Sequence, residues 1–211
     1  MNDPALFPIY LKLSGRACVV VGGGSVAEGK IKSLLEAGAK VRVISPDSTE
    51  QIAMWARDAQ VTWERRHFRS DDLNDAFLVV SATNNAAINA AVREEAERRG
   101  ILCNAVDDPE HCNFFYPAIV RRGPLQIAIS TAGNSPALAQ RLRAELEQQF
   151  GPEYEHWVRK LGERRQLLFA AMELDTELRK RELHYQASQA AFAAFLRKSP
   201  SVETDSHEGA T

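Results

Sequence analysis

The sequence predicts an α/β chain: a parallel sheet with helices on both faces, then a small β-containing region, then a helical C-terminal domain. Three observations carry this. Short apolar runs alternate with amphipathic helical stretches five times over the first half of the chain, and a doubly covered parallel sheet is the economical solution. The alternation then gives way to two β-rich runs around a turn. From Glu153 to Lys198 the chain is almost wholly helical in pattern, rich in Ala, Leu, Glu, Arg and Gln.

The first strand and helix set the pattern. Ala17 to Ala39 reads ACVVVGGGSVAEGKIKSLLEAGA, a run of small and β-branched residues, three glycines, and a helical segment with Val26, Ile31, Leu34 and Leu35. Gly22, Gly24 and Ala27 fit G-x-G-x-x-G/A. In that pattern the first glycine permits the turn, the second lets backbone approach a pyrophosphate, and the third small residue lets helix pack on strand. The helix N-terminus adds unpaired N–H groups and partial positive charge. Any glycine-rich turn imitates the string, but here a strand precedes it and a helix follows. The stretch therefore predicts a Rossmann-type dinucleotide site with Gly22, Gly24, Ser25 and Val26 at the pyrophosphate.

The other elements follow in order. Before the glycines, Phe7, Ile9, Leu11 and Leu13 alternate with other residues, as in a short extended segment lying on the domain. Gly38 supplies a C-cap, and Val41, Val43 and Ile44 make a second strand ending at Ser45-Pro46-Asp47. In many such folds an acidic residue at that tip binds the ribose 2′-hydroxyl. Ser45 stands there instead, so Ser45 and Pro46 are candidate ribose contacts that leave NAD and NADP undistinguished. Ser48 is expected to cap a helix to about Arg57, Val61 to Glu64 is a short strand, and HFRSDDLNDA is polar connection with Ser70 or Asp71 capping a turn. Phe77 to Ala82 is an unbroken apolar run, as for a strand covered on both faces. It ends in Thr83-Asn84-Asn85, which suits both helix capping and cofactor contact through Thr83 and Asn84. A helix to Gly100 and a strand from Ile101 to Val106 follow. The runs from Phe114 to Val120 and from Leu125 to Ser130 flank a turn at Arg121 to Pro124 and predict a hairpin. Ser135-Pro136 starts the next helix and Gly151-Pro152 stops it.

Composition narrows the classes. The 211 residues carry a net charge of −2, which excludes a globally basic nucleic-acid binder. No stretch approaches the roughly 20 apolar residues of a membrane span, and MNDPALFPIY lacks the pattern of a signal peptide, so a cytoplasmic location is expected. Cys18, Cys103 and Cys112 lack C-x-x-C spacing and imply neither a disulfide framework nor a zinc site. Cys18 and Cys103 sit in apolar runs and read as packing residues. His111 and Cys112, side by side, are not a metal site, and none is expected.

In succession FPIYLKL, VVVGGGSVAEGKIKSLLEAGAKVRVISP, SATNN with Asn89 following, NAVDDP, FFYPAIVRRGPLQIAIST and GNSPALAQRLR resemble the siroheme-synthase N-terminal family. Its members are precorrin-2 dehydrogenases, some of them also sirohydrochlorin ferrochelatases. The resemblance runs motif by motif from about Phe7 to Arg143, and by size and character alone beyond. It implies a homodimer with an NAD-binding domain (1–112), a central dimerisation region (113–150) and a helical domain (151–198), the active site lying between domains, while the polar, apolar-poor stretch 199–211 reads by composition as a disordered tail. It also implies NAD as hydride acceptor, precorrin-2 as substrate, sirohydrochlorin as product, and ferrous iron in transit in members that chelate. The methyltransferase domain of fused relatives is not in this sequence, so a stand-alone form is expected.

The family's active-site aspartate falls at Asp107 in NAVDDP. A carboxylate suits the task, since oxidising a reduced tetrapyrrole releases a proton and metal insertion displaces pyrrole N–H protons. A plainer use of Asp107 and Asp108 is a turn with Pro109. The polycarboxylate substrate calls for guanidinium groups, with Arg121, Arg122, Arg141 and Arg143 as candidates and Arg159, Lys160, Arg164 and Arg165 behind them. Most charge runs are solvated faces, so two or three of these eight are expected to touch substrate. A second reading also stands: a nucleotide-sensing module that reports NAD status to a partner without catalysis and has no need of Asp107.

Overall fold

The computed structural model describes residues 6–106, 108–170 and 175–198. The chain divides into two compact units, Met1–Tyr116 and Pro117–Thr211. In the first, strands β1 (Ala17–Val21), β2 (Lys40–Ile44), β3 (Val61–Glu64), β4 (Leu78–Ser81) and β5 (Leu102–Ala105) form one parallel sheet in the order β3-β2-β1-β4-β5. Helices α1 (Ser25–Glu36), α2 (Glu50–Arg57) and α3 (Ala86–Arg99) connect them, and a 3-10 turn at Ser70–Leu73 lies between β3 and β4.

The two-residue period of the strands divides the core. Cys18, Val20, Val41, Val43, Leu78 and Val80 turn to one face and bury Ala27, Ile31 and Leu34 of α1 and Ile52 of α2. Val19, Val21, Ile44, Val79 and Cys103 turn to the other, against Leu73 and Val92 and Ala96 of α3. Each large side chain so buried is worth about 1.5–3 kcal/mol. Because both faces are covered, the strands read as continuous apolar runs, which is why their positions are visible in the sequence.

Helix ends follow local chemistry with one shift. Asn85 caps α3 through its side-chain oxygen, which accepts from Ala87 and Ile88 N–H, and Gly100 closes the helix at φ 68°. The cap of α2 is Thr49, not Ser48. The N–H of Thr49 is tied to Gly23 O at 2.8 Å, so Thr49 is the last extended residue, and its hydroxyl accepts from Ile52 N–H. Near the N-terminus only Leu13 packs into the core; Phe7, Ile9 and Leu11 are 85%, 60% and 38% exposed, so the expected docking of that segment is limited to its end.

In the second unit β6 (Ala118–Arg122) and β7 (Leu125–Ile129) pair antiparallel around Gly123 at φ 55°. The helix α4 (Pro136–Gln149) starts as read, with Ser135 Oγ accepting from Leu138 N–H at 3.2 Å. Both α4 and α5 (Glu153–Ala170) pack on the hairpin, and α5, α6 (Thr176–Gln186) and α7 (Gln189–Lys198) pack on one another. Trp157 joins α5 to α7 through ring contacts with Phe192 at 5.5 Å and Phe195 at 5.2 Å. The expected tail from Ser199 lies outside the described residues.

The three thiols are predicted to separate by reactivity. Burial pushes Cys18 and Cys103 each up to about 11, whereas Cys112 is only half-buried. Alkylation of the native protein at mildly alkaline pH, read by mass, is expected to label Cys112 first, and all three equally only in denaturant.

Candidate dinucleotide site

The strand order reverses at β1, which has β2 on one side and β4 on the other, and connections on opposite faces leave a crevice above the carboxyl ends of these strands. Two backbone bonds hold the mouth of that crevice: Gly22 N–H to Ile44 O at 3.0 Å and Ala82 N–H to Val21 O at 2.8 Å. The glycines between them do different things. Gly22 has φ 120°, and a Cβ there would lie 2.2 Å from Ala82 O. At Gly23 a Cβ would lie 2.0 Å from Asp47 O. Gly24 is the N-cap of α1 and faces open space, with no protein atom within 4 Å of where a Cβ would stand. The two inner glycines admit neighbouring backbone, and the outer one leaves room for a ligand.

The resulting cleft has a volume of about 590 Å3 and is lined by Gly22, Gly24, Ser25, Val26, Ser45, Pro46, Thr83 and Asn84, all eight residues expected at the cofactor. Whereas Thr49, Asn85 and Ser135 cap their own helices, no side chain caps α1, whose first turn opens on the cleft. Ala27 behind it is fully buried and lets α1 sit close to the sheet. A bare helix start with an open glycine in front fits a pyrophosphate. The opposite wall is braced by Asn89, whose Oδ1 accepts from Ser81 Oγ at 2.7 Å and Thr83 Oγ1 at 2.6 Å while its Nδ2 donates to Thr83 O at 3.0 Å.

At the β2–β3 end stand Arg66, His67 and Phe68. Arg66 donates from Nη1 to Asp72 Oδ2 at 2.8 Å and from Nη2 to Asp72 Oδ1 at 2.5 Å, and Nη2 also pairs with Glu64. Arg42 on β2 donates to Glu64 at 3.2 Å and to Asp72 O. Burial pushes the Asp72 carboxyl up, but Arg66, the Arg69 N–H and Arg42 outweigh it and hold the group below its ordinary value. The turn expected to be capped by Ser70 or Asp71 is instead pinned by Asp72, which accepts from Arg69 N–H at 2.8 Å. Arg42 on β2 and Arg66 in the loop after β3 both pair with this carboxylate, so it is the one turned inward.

Asp107 lies outside the described residues, two positions past the end of β5. Its neighbour Asp108 pairs with His111 Nδ1 at 2.6 Å, and Cys112 Sγ lies 3.2 Å from both the N–H and the carbonyl of Ala105. Among the described residues no cluster of three or more metal-ligating side chains occurs. The four arginines expected at the substrate belong to the second unit. Arg122 donates to Phe150 O at 2.8 Å and Glu147 O at 3.0 Å and so closes the end of α4. Arg143 pairs with Glu147 at 2.6 Å and Arg141 with Glu145 at 3.3 Å. Arg121 shares β6 with Arg122.

Sequence reasoning missed Gly23, Asn89 as a brace, and the Arg66 network. The unbroken G-G-G run was the available signal for the first. Asn89 meets partners six and eight residues earlier, and the Arg66 network draws on β2, β3 and the 3-10 turn, spacings that no short pattern displays.

Comparison with known proteins agrees with this geometry. A family model described as "Putative NAD(P)-binding" matches residues 9–118, and one described as "Sirohaem biosynthesis protein central" matches residues 122–149. The siroheme synthase of Neisseria meningitidis serogroup C is 41% identical over 141 residues, 67% of this chain and 29% of that protein. Siroheme synthase 1 of Yersinia enterocolitica is 44% identical over 140 residues, 66% of this chain and 30% of that protein. The chain thus spans under a third of the length of these curated relatives. Among solved structures, SirC, a precorrin-2 dehydrogenase, superposes with a TM-score of 0.74 at 29% identity, covering 91% of this chain and 98% of that one. Among the described residues no helix is long and apolar enough to cross a membrane.

Two predictions follow from the glycines and from Asp72. Gly23→Ala is expected to lose about 2 kcal/mol by overpacking against Asp47, whereas Gly24→Ala is expected to keep its melting temperature and lose dinucleotide affinity; thermal unfolding beside calorimetric titration separates them. Asp72 titrates below its ordinary 3.8 in the folded state, so its contribution is complete above that value and is lost as pH falls through it toward the folded pKa. Asp72→Asn is therefore expected to lower stability by about 1–3 kcal/mol at neutral pH, with the gap to the parent closing below about pH 4 in denaturant titrations.

Proposed function

The chain belongs to the siroheme-synthase N-terminal family, its NAD(P)-binding model covering more than half the sequence, and from that premise we propose that it is an NAD-dependent precorrin-2 dehydrogenase. The observation that carries the reading is the uncapped start of α1, facing open space at Gly24 in a cleft at the strand-order reversal. NAD, when bound, supplies a hydride acceptor. The chain's own part is to hold it: Gly24, Ser25 and Val26 offer backbone N–H groups to the pyrophosphate, Ser45 and Pro46 flank the adenosine ribose, and Thr83 and Asn84, braced by Asn89, bound the far wall.

Oxidation of precorrin-2 to sirohydrochlorin removes a hydride and a proton. Asp107, beyond the carboxyl end of β5, is our candidate for the base that takes the proton, since ligands in open parallel sheets bind outside that edge. Arg121, Arg122, Arg141 and Arg143 are the candidates for the substrate carboxylates, since guanidinium groups bind carboxylates bidentately. Ferrous iron as a further substrate, a homodimer joined through residues 113–150, and a cytoplasmic setting complete the proposal on the strength of the family resemblance.

The purified chain given NAD and precorrin-2 is expected to produce NADH together with the absorbance of sirohydrochlorin, and silence on both counts would remove the assignment. Asp107→Asn should bind NAD as before and lose turnover by 100-fold or more, in the range general-base removal costs. Full activity in that variant would assign the proton to another group.

A further inference from the structure

The tip of β2 carries Ser45 where other folds of this kind place the acid that selects NAD, and an arginine stands nearby in the cleft wall. By residue type alone Arg66 would be a receptor for the 2′-phosphate of NADP. Its surroundings say otherwise. The four N–H groups on its two terminal nitrogens are directed at Asp72 Oδ1, Asp72 Oδ2, Glu64 and His67 O. Those on Nη2 both go to carboxylates. Arg42, the other cation of the network, is committed to Glu64 and to the carbonyl of Asp72. Within the clamp, two guanidinium groups stand against two carboxylates, so the four side chains together carry no net charge. Asp47 brings a further carboxylate to the same wall of the cleft.

We propose that the Glu64–Arg66–Asp72 clamp makes this cleft select NAD over NADP, by consuming the hydrogen bonds and the charge with which Arg66 would otherwise hold a 2′-phosphate. Selection thus falls to a neutralised cation beside the ribose instead of an acid at the tip of β2. Ser45 is connected to the clamp, since its N–H donates to Glu64 O at 3.2 Å and its carbonyl accepts from Trp63 Nε1 at 3.0 Å, so the end of β3 lies against the ribose position. A 2′-phosphate entering here meets the Asp47 carboxylate and an arginine with no terminal donor to spare, backed by Glu64 and Asp72. A 2′-hydroxyl needs only a small polar neighbour, which Ser45 provides.

The inference rests on the dinucleotide reading of the cleft, and its test keeps the two apart. Calorimetric titration of the parent chain with NAD and with NADP is expected to favour NAD by about tenfold or more, the scale of one charge-assisted hydrogen bond. Glu64→Gln, a half-exposed change, keeps the shape and removes one negative charge. It should improve NADP binding about tenfold with little change for NAD, and Arg66→Leu in the Glu64→Gln background should restore the parent preference. Asp72→Asn should act in the same direction as Glu64→Gln. A ratio of the two affinities that stays at the parent value in both Glu64→Gln and Asp72→Asn, while NAD still binds, would overturn the clamp and leave the dinucleotide reading intact. A parent chain that binds neither nucleotide would overturn both.

Discussion

The structure of the first unit depends on how closely three parallel strand ends can approach one another. After β1 the chain must leave the sheet between β2 and β4, with Gly22 N–H bonded to Ile44 O on one side and Ala82 N–H to Val21 O on the other. A single methyl group on Gly22 would stand 2.2 Å from Ala82 O, and one on Gly23 would stand 2.0 Å from Asp47 O. Only bare backbone passes through. That steric condition puts the start of α1 directly over the crevice, with its first N–H groups turned outward, because the helix has no length of loop in which to turn away. The candidate site is the by-product of a packing requirement in the sheet.

Electrostatics completes what sterics begins. The wall beside β3 is backed by four ionised side chains from β2, β3, the loop after it and the 3-10 turn, and each is matched by an opposite partner. Asp72 is almost fully buried, and a buried carboxylate is tolerable only when its oxygens are all engaged, as they are by Arg66 and the Arg69 N–H. The cluster works beside the buried Leu73 of the 3-10 turn, where the connection from β3 to β4 lacks a full helix. It fixes the loop carrying Arg66, His67 and Phe68 into the cleft wall without a helix to support it.

How much of this was legible in the sequence follows from how local each determinant is. Strands covered on both faces show themselves as apolar runs, as at β1, β4 and β5, while β2 and β3 show by their valines and isoleucine. The glycine turn, the Asn85 and Ser135 caps and the hairpin turn are likewise encoded within a few residues. Cap position at α2 was read one residue early because the deciding bond, Thr49 N–H to Gly23 O, comes from a part of the chain 26 residues away. For the same reason Asp72 could not be told from Asp71: of the arginines that choose between them, Arg42 is on β2, thirty residues back, and Arg66 is in the loop after β3. The exposed Phe7, Ile9 and Leu11 show the reverse error, where alternation was legible but the side chains stay largely in solvent.

In the second unit, Arg122 reaches from a strand to the closing carbonyls of a helix that begins fourteen residues later. Sliding β6 along β7 by a single position would swing that side chain to the reverse face and strand the carbonyls without a donor. A two-stranded ribbon by itself polices its alignment weakly. Here the helix end acts as a detent, so the pairing of Val120 with Ile127 is enforced from outside the ribbon, and hairpin and helix should open and close as one cooperative piece.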